Sequence, residues 1–278
     1  MKYSFTSFSC PDLTLSEMLA LARRMGYDGI ELRLAERHKH EVETDIGAVK
    51  RREIKAQIAA SGIALACLGT SCVYADPARA PEMVAETRRA IELAADIGCS
   101  CLRVFGGEIP KGITREQAMD SIVAALHAVA TQAFERGVIL CLETHDDWTN
   151  PDQVAEIMRR VNQPSVAVTW DVMHPVRQSQ VTMDRAFQAL QPWIRHVHFH
   201  DGVNRLDKFE LRPIGEGDFD HRRVVELLMS AGYNGFLSGE WIDWEPYEVH
   251  LPRELATMKH YEREARLQRM PRSDQEPR

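Results

Sequence analysis

The chain has 278 residues, of which 44% are hydrophobic and 27% charged, with a formal net charge of −7 and a pI near 5.9. This is the composition of a folded globular protein, and the acidic balance argues against a nucleic-acid surface as the main function. No run of about 18 apolar residues occurs, so no transmembrane helix is expected; the start, Met1-Lys2-Tyr3-Ser4-Phe5-Thr6, lacks a signal-peptide apolar stretch, which makes the cytoplasm the expected location.

Short apolar runs alternate with amphipathic stretches from the first residue onward. Residues 3–8 read as a strand, and 13–25 follow with helical spacing before Gly26. Residues 28–34 form the second expected strand, 46–60 a helix closed by Ser61-Gly62, and 63–69 the third strand. Residues 81–97 read as a helix with proline in its first turn, 101–105 as strand four, and 114–136 as a long helix opened by a Thr114-x-x-Gln117 capping pattern. The second half repeats the scheme, with strands at 138–143, 166–171, 195–200 and 235–241. The intervening helices are expected at 152–161, 183–190 and 221–231, and a final one at 253–266. Gly215-Glu216-Gly217-Asp218 lacks the lysine of a phosphate loop and reads as a turn.

Eight strand–helix units without a composition break predict an α/β chain folded as one (β/α)8 TIM barrel over residues 1–266, with a polar tail at 267–278. No Gly-x-Gly-x-x-Gly follows the first strand, which disfavours a dinucleotide-binding open sheet. The six cysteines, Cys10, Cys67, Cys72, Cys99, Cys101 and Cys141, show no Cys-x-x-Cys spacing and read as small buried apolar residues.

Barrels of this kind carry their chemistry at the C-terminal ends of the strands. Strand five ends in Glu143-Thr144-His145, strand six in Asp171-Val172-Met173-His174, and strand eight in Glu240-Trp241. Strand seven reads Arg195-His196-Val197-His198-Phe199-His200-Asp201. Strand alternation puts His196, His198 and His200 on one face, and Val197 and Phe199 on the other, toward the helices. A single carboxylate at a strand end is ordinarily a cap or a solvated group. Four consecutive strands ending in Glu, Asp, His and Glu would converge at one mouth, where like charges repel and a cation is required. Such a mainly oxygen donor set suits Mn²⁺ best, with Mg²⁺, Co²⁺ or Zn²⁺ as alternatives.

These residues resemble the xylose isomerase-like TIM barrels, the sugar phosphate isomerase/epimerase group. The resemblance spans nearly the whole chain. It is most specific in His196-Val197-His198-Phe199-His200-Asp201, in Ile214-Gly215-Glu216-Gly217-Asp218-Phe219, and in the stretch from Gly232-Tyr233-Asn234-Gly235 to Gly239-Glu240-Trp241. It implies one divalent metal on Glu143, Asp171, His198 and Glu240, the second histidine of the His-x-His pair being the usual ligand. It also matches Asp171 and His174 to an Asp-x-x-His pattern whose histidine touches substrate. Family members often carry lysine where His200 stands, and other polar residues where His145-Asp146-Asp147-Trp148 stands.

The implied activity is isomerisation or epimerisation of a sugar, keto-sugar or related hydroxy-ketone. Glu143 and Glu240 would move protons through a metal-stabilised enediolate. The same first step serves a dehydratase or lyase, such as an inosose or dehydroshikimate dehydratase. An endonuclease IV-like phosphodiesterase shares the barrel but needs more ligands and a basic face.

His145, His174, His200, Arg205 and Trp241 are the expected substrate-binding residues, with Trp148 and Trp244 as further walls of a pocket. His196 is expected one layer deeper, hydrogen-bonded inside the barrel. Arg103 could form a salt bridge at the mouth. Glu31 could support the site from strand two or pair with Arg33 in solvent. The partner is a small carbohydrate-like molecule, with no nucleic acid and no membrane; a homo-oligomer is left open.

Overall fold

A computed structural model describes residues 1–205 and 208–269. Eight parallel strands close a barrel. In chain order they are β1 (Lys2–Thr6), β2 (Gly29–Arg33), β3 (Ala64–Val73), β4 (Cys101–Phe105), β5 (Ile139–Glu143), β6 (Val166–Asp171), β7 (Ile194–Phe199) and β10 (Phe236–Gly239). Between the last two, β8 (Asp201–Arg205) and β9 (Lys208–Arg212) form an antiparallel hairpin outside the barrel.

The helices are α1 (Leu15–Met25), α2 (Ala48–Ser61), α3 (Ala80–Ile97), α4 (Arg115–Glu135), α5 (Pro151–Val161), α6 (Met173–Ser179), α7 (Met183–Leu190), α8 (His221–Ser230) and α9 (Tyr247–Arg269). The expected (β/α)8 barrel is therefore the fold. Among the described residues, no helix is long and apolar enough to cross a membrane.

Local chemistry sets the helix ends. Thr14 caps α1 and Thr114 caps α4, each in a reciprocal capping box, with Glu17 and Gln117. Such a cap contributes about 1 kcal/mol. Gly26 and Gly98 end α1 and α3 in left-handed conformations, φ 82° and 86°. Each helix then buries its apolar stripe on the barrel; α1 buries Leu15, Met18, Leu19, Leu21 and Ala22.

The structure departs from the sequence reading in several places, and strands β1 and β10 end at Thr6 and Gly239 rather than at 8 and 241. The hairpin was not expected: Phe209 and Leu211 alternate with charged residues in β9, but β8, Asp201-Gly202-Val203-Asn204-Arg205, has one apolar side chain and sets no strand period. Helix α6 has seven residues, too few to set a helical period. Strand β3 runs to Val73 through a register shift after Gly69. Helix α9 starts at Tyr247 rather than 253, with Pro252 inside it. It also continues to Arg269, so 267–269 are helical, whereas the rest of the expected tail, 270–278, lies outside the described residues.

Register brings the site together. His198 on β7 pairs with Asp171 on β6 and with Ser238 on β10, so the three stand at one level of the barrel. Val197 and Phe199 are fully buried on the opposite face, among the helix-layer core. One motif fixes the segment after β7. The Asp201 carboxylate accepts backbone N–H bonds from Gly202, Gly215, Gly217 and Phe219, at 2.8–3.3 Å. A Cβ at Gly217 would stand 2.1 Å from Asp201 Oδ1, so only glycine allows this approach.

Candidate metal centre

Glu143, Asp171, His198 and Glu240 meet at the C-terminal mouth of the barrel, from β5, β6, β7 and the end of β10. One potential ligand atom from each lies within 4.8 Å of all the others. His198 Nδ1 is 2.7 Å from Glu143 Oε1 and 3.7 Å from Glu240 Oε2. Asp171 Oδ1 accepts the Met173 and His174 N–H groups at 2.9 and 3.4 Å, which leaves Oδ2 buried without a partner.

Glu31 completes the group from across the barrel. It is 2% exposed, and its carboxylate lies 3.1 Å from His198 Nε2 and 2.8 Å from His196 Nε2. It is thus the support from strand two and not a solvated pair with Arg33. Arg33 instead donates to the Leu34 and Gly69 carbonyls and to Ser71 Oγ, and pairs with Glu36. A carboxylate only accepts, so Glu31 requires N–H at Nε2 and leaves Nδ1 as the side of His198 that faces the other donors. His196 takes the deeper, hydrogen-bonded place expected of it.

Arg103 supplies the mouth salt bridge. Its Nε lies 3.2 Å from Glu143 Oε2, its terminal nitrogen donates to the Thr70 carbonyl at 2.8 Å, and its guanidinium stacks on Phe105 at 3.9 Å. The two glutamates of the cluster, Glu143 and Glu240, are therefore unequal. Glu143 is held on both oxygens, while Glu240 has no such clamp and its side chain is 14% exposed.

The electrostatics favour a cation. Burial pushes Glu240 and Asp171 up, and the neighbouring charge of Glu143 adds to it. Burial would also raise Glu143 and Glu31, but the imidazoles, and for Glu143 also Arg103, hold both low. Burial alone would lower His198, yet Glu31, Glu143 and Glu240 together push it up. Four carboxylates thus meet the imidazoles of His196 and His198 and the guanidinium of Arg103. A divalent ion neutralises this excess and can replace the proton on Nδ1. The donor set of one nitrogen and three carboxylates fits such an ion, and the unpartnered Asp171 Oδ2 is a coordination position the protein itself leaves unfilled.

Three further histidines line the mouth. The rings of His145 and His174 are 4.3 Å apart, and those of His174 and His200 6.4 Å. Burial lowers His174 and His200 to about 4, and the Nδ1 atom of each is buried without a partner. His145 is different. Burial works against its charge, but the 2.8 Å bond to Asp146 and the nearby Glu143 raise it to about 9.

Two expected substrate residues are not brought to the cluster. Trp241 is 1% exposed and lies among Phe199, His250 and Trp244 in the outer layer, so it has no free face for a ligand. Large aromatic side chains next to a strand end fill the helix layer as readily as a pocket, and sequence alone does not separate the two. Trp148 is likewise core, its Nε1 donating to the Gly107 carbonyl. Arg205 stands on the hairpin, with its side chain 64% exposed and paired with Glu210.

A profile of the family described as xylose isomerase-like TIM barrels matches residues 19–261. The chain belongs to this family. Among individual relatives, the 3-dehydroshikimate dehydratase of Bacillus anthracis is 20% identical, over 87% of this chain and 91% of that protein. The L-ribulose-5-phosphate 3-epimerase UlaE of Shigella flexneri is 24% identical, over 79% of each. Matches to two uncharacterised proteins of Methanocaldococcus jannaschii, 23% and 27% identical, span only 59% and 54% of their lengths. The solved IOLI protein, which holds a zinc atom, superposes with a TM-score of 0.78 at 20% identity, over 97% of this chain and 99% of that one. At such identities the likeness to solved structures speaks for the fold. The chemistry has to come from the residues.

Proposed function

We propose that this protein is a divalent-metal-dependent isomerase or epimerase of a small hydroxy-ketone, a sugar or keto-sugar. The observation that carries the reading is the convergence of Glu143, Asp171, His198 and Glu240 within 4.8 Å, with Asp171 Oδ2 unpartnered and His198 held by Glu31 through its other nitrogen. These four residues would hold the ion, Mn²⁺ by preference of the oxygen-rich set, with Mg²⁺, Co²⁺ or Zn²⁺ accepted. When bound, the ion supplies Lewis-acid polarisation of a carbonyl, which acidifies the neighbouring C–H.

The protein supplies the proton handling. Glu240, the carboxylate without a clamp, is placed to take the proton from the carbon next to the carbonyl. Glu143, fixed by Arg103 and His198, would be the second carboxylate, returning a proton to the other face of that carbon in epimerisation or to the adjacent carbon in isomerisation. His174 and His200 offer buried Nδ1 atoms to substrate hydroxyls, and His145, kept charged by Asp146, is the acid able to donate to a developing oxyanion.

The test is hydrogen exchange. With Mn²⁺ present in deuterated water, wild-type protein should introduce deuterium beside the carbonyl of a ketose from a panel, and Glu240→Gln should abolish it while still folding. Full exchange in Glu240→Gln would remove Glu240 as the base. Unaltered turnover after chelation, with the metal shown to be gone, would end the whole reading.

Dehydration is the second reading. The match to the Bacillus anthracis dehydratase over 87% of this chain favours it, since the same first proton removal followed by loss of a β-hydroxyl needs no additional residue type. It would give a conjugated carbonyl, visible in the ultraviolet.

A further inference from the structure

Arg177 is a cation at the mouth that the proposed chemistry does not use and that no carboxylate among the described residues pairs with. Arg177 lies on α6, three residues after His174 and on the same side of the helix. Its guanidinium sits over the Phe209 ring at 4.9 Å, and its Nε donates to Asn204 Oδ1 at 2.8 Å. Both partners are neutral and both belong to the hairpin β8–β9. Arg33, Arg103, Arg205 and Arg212, the other arginines of this end of the barrel considered above or on the hairpin, all pair with a carboxylate. Among the described residues, none pairs with Arg177.

The wall is continuous. Phe209 packs on His200 at 5.8 Å, His200 faces His174 at 6.4 Å, and each histidine keeps an unpartnered buried Nδ1. His174 also borders the metal cluster, its Nε2 3.9 Å from Asp171 Oδ2. These side chains form a row from the proposed metal ligands through two imidazoles to a guanidinium whose residue lies about 4.5 Å beyond His174 along the helix axis. Its near end would bind a hydroxy-ketone, its middle would satisfy hydroxyls, and its far end offers free N–H donors on a planar cation that suits carboxylate or phosphate. An anionic substrate approaching three metal-bound carboxylates and Glu31 also needs a cation at its remote end.

We infer that Arg177 is the specificity residue of this site and that it selects hydroxy-ketones whose far end carries an oxyanion, carboxylate or phosphate. The inference rests on the metal reading above, which places the reacting end of the substrate at Glu143, Asp171, His198 and Glu240.

The experiment uses three probes sharing one hydroxy-ketone end: D-fructose, fructose 6-phosphate and 5-keto-D-gluconate. Binding to the full chain is measured by calorimetry, with and without Mn²⁺, for wild type, Arg177→Met and Arg177→Lys; Mn²⁺ affinity is titrated separately. At least one anionic probe should bind wild type tenfold or more tightly than fructose. Arg177→Met should reduce that advantage to within twofold, Arg177→Lys should keep part of it, and fructose and Mn²⁺ binding should be unchanged in both. Preference for the phosphate or for the carboxylate probe identifies the oxyanion. The inference is overturned if neither anionic probe outcompetes fructose, or if the advantage survives in Arg177→Met. A wild type that binds no Mn²⁺ but keeps an Arg177-dependent preference would sink the metal reading alone.

Discussion

Glu31 on β2 holds His198 on β7 across the barrel, with both carboxylate oxygens 3.1 Å from Nε2. The bond fixes the ring and leaves Nδ1 as the nitrogen that faces Glu143 and Glu240, where the proposed metal would bind. Removing such an outer partner typically costs 10- to 100-fold in metal affinity. Glu31→Gln should therefore fold, keep the four ligands and bind Mn²⁺ about 10-fold or more weakly. Titration of the ion by its electron paramagnetic resonance signal checks this; unchanged affinity would make Glu31 a bystander.

Arg103 and Glu143 form a fully desolvated pair, 2% and 1% exposed at their side chains. Breaking one side of such a pair leaves a buried charge and costs about 3 kcal/mol or more. Arg103→Met should lower the unfolding free energy of the metal-free protein by that amount. In a double-mutant cycle, adding Glu143→Gln should recover a large share, because the stranded charge is then gone. Strict additivity in the cycle would show that the two do not interact.

Stability should fall with acid through His40, which is 4% exposed. Burial and the nearby His38 lower it to about 4, and the Val42 N–H donates to its Nδ1, which demands a neutral ring. The folded value lies below the ordinary 6.5, so the unfolded chain takes up the proton first. The contribution is fully present above pH 6.5 and is lost as the pH falls toward 4. Between pH 7 and pH 5 the loss is about 2 kcal/mol. Denaturant unfolding at the two pH values should show a difference that shrinks by that amount in His40→Asn; an equal difference in both proteins would assign the acid sensitivity elsewhere.

Asp201 ties the hairpin to the Gly215–Gly217 turn through four backbone donors. Asp201→Ala would orphan them together and should cost about 3 kcal/mol. Cleavage by a protease at low concentration should become faster between 201 and 219 than elsewhere. Gly217→Ala should give the same pattern, since its Cβ would meet Asp201 Oδ1 at 2.1 Å. A cleavage pattern like that of wild type in both variants would deny the tie its role.

Much of the molecule was legible in the residues alone. Period and punctuation, such as Thr114 with Gln117 or Gly26 after Met25, exposed the eight strand–helix units because those signals are local. Strand parity put Val197 and Phe199 outward, and it put Glu143, Asp171, His198 and Glu240 at the ends of neighbouring strands. These pieces determine a barrel and an acidic, histidine-bearing mouth before any coordinate is known.

Side-chain partnerships across the barrel were not legible. Glu31 and His198 are 167 residues apart in sequence, and nothing near either names the other. Trp241 adjoins Glu240 in the chain yet belongs to the helix layer, because a strand end turns outward within one residue and its next side chain meets Phe199. Arg177 gave no signal at all, since its helix is too short for a period and its hydrogen-bond partner Asn204 lies on β8, which shows no alternation. The sequence determined which chemistry could assemble at the mouth, because strand order and parity are local. Only the tertiary structure decided which charge holds which, because that depends on closing the barrel and bringing β2 against the ligands of β7.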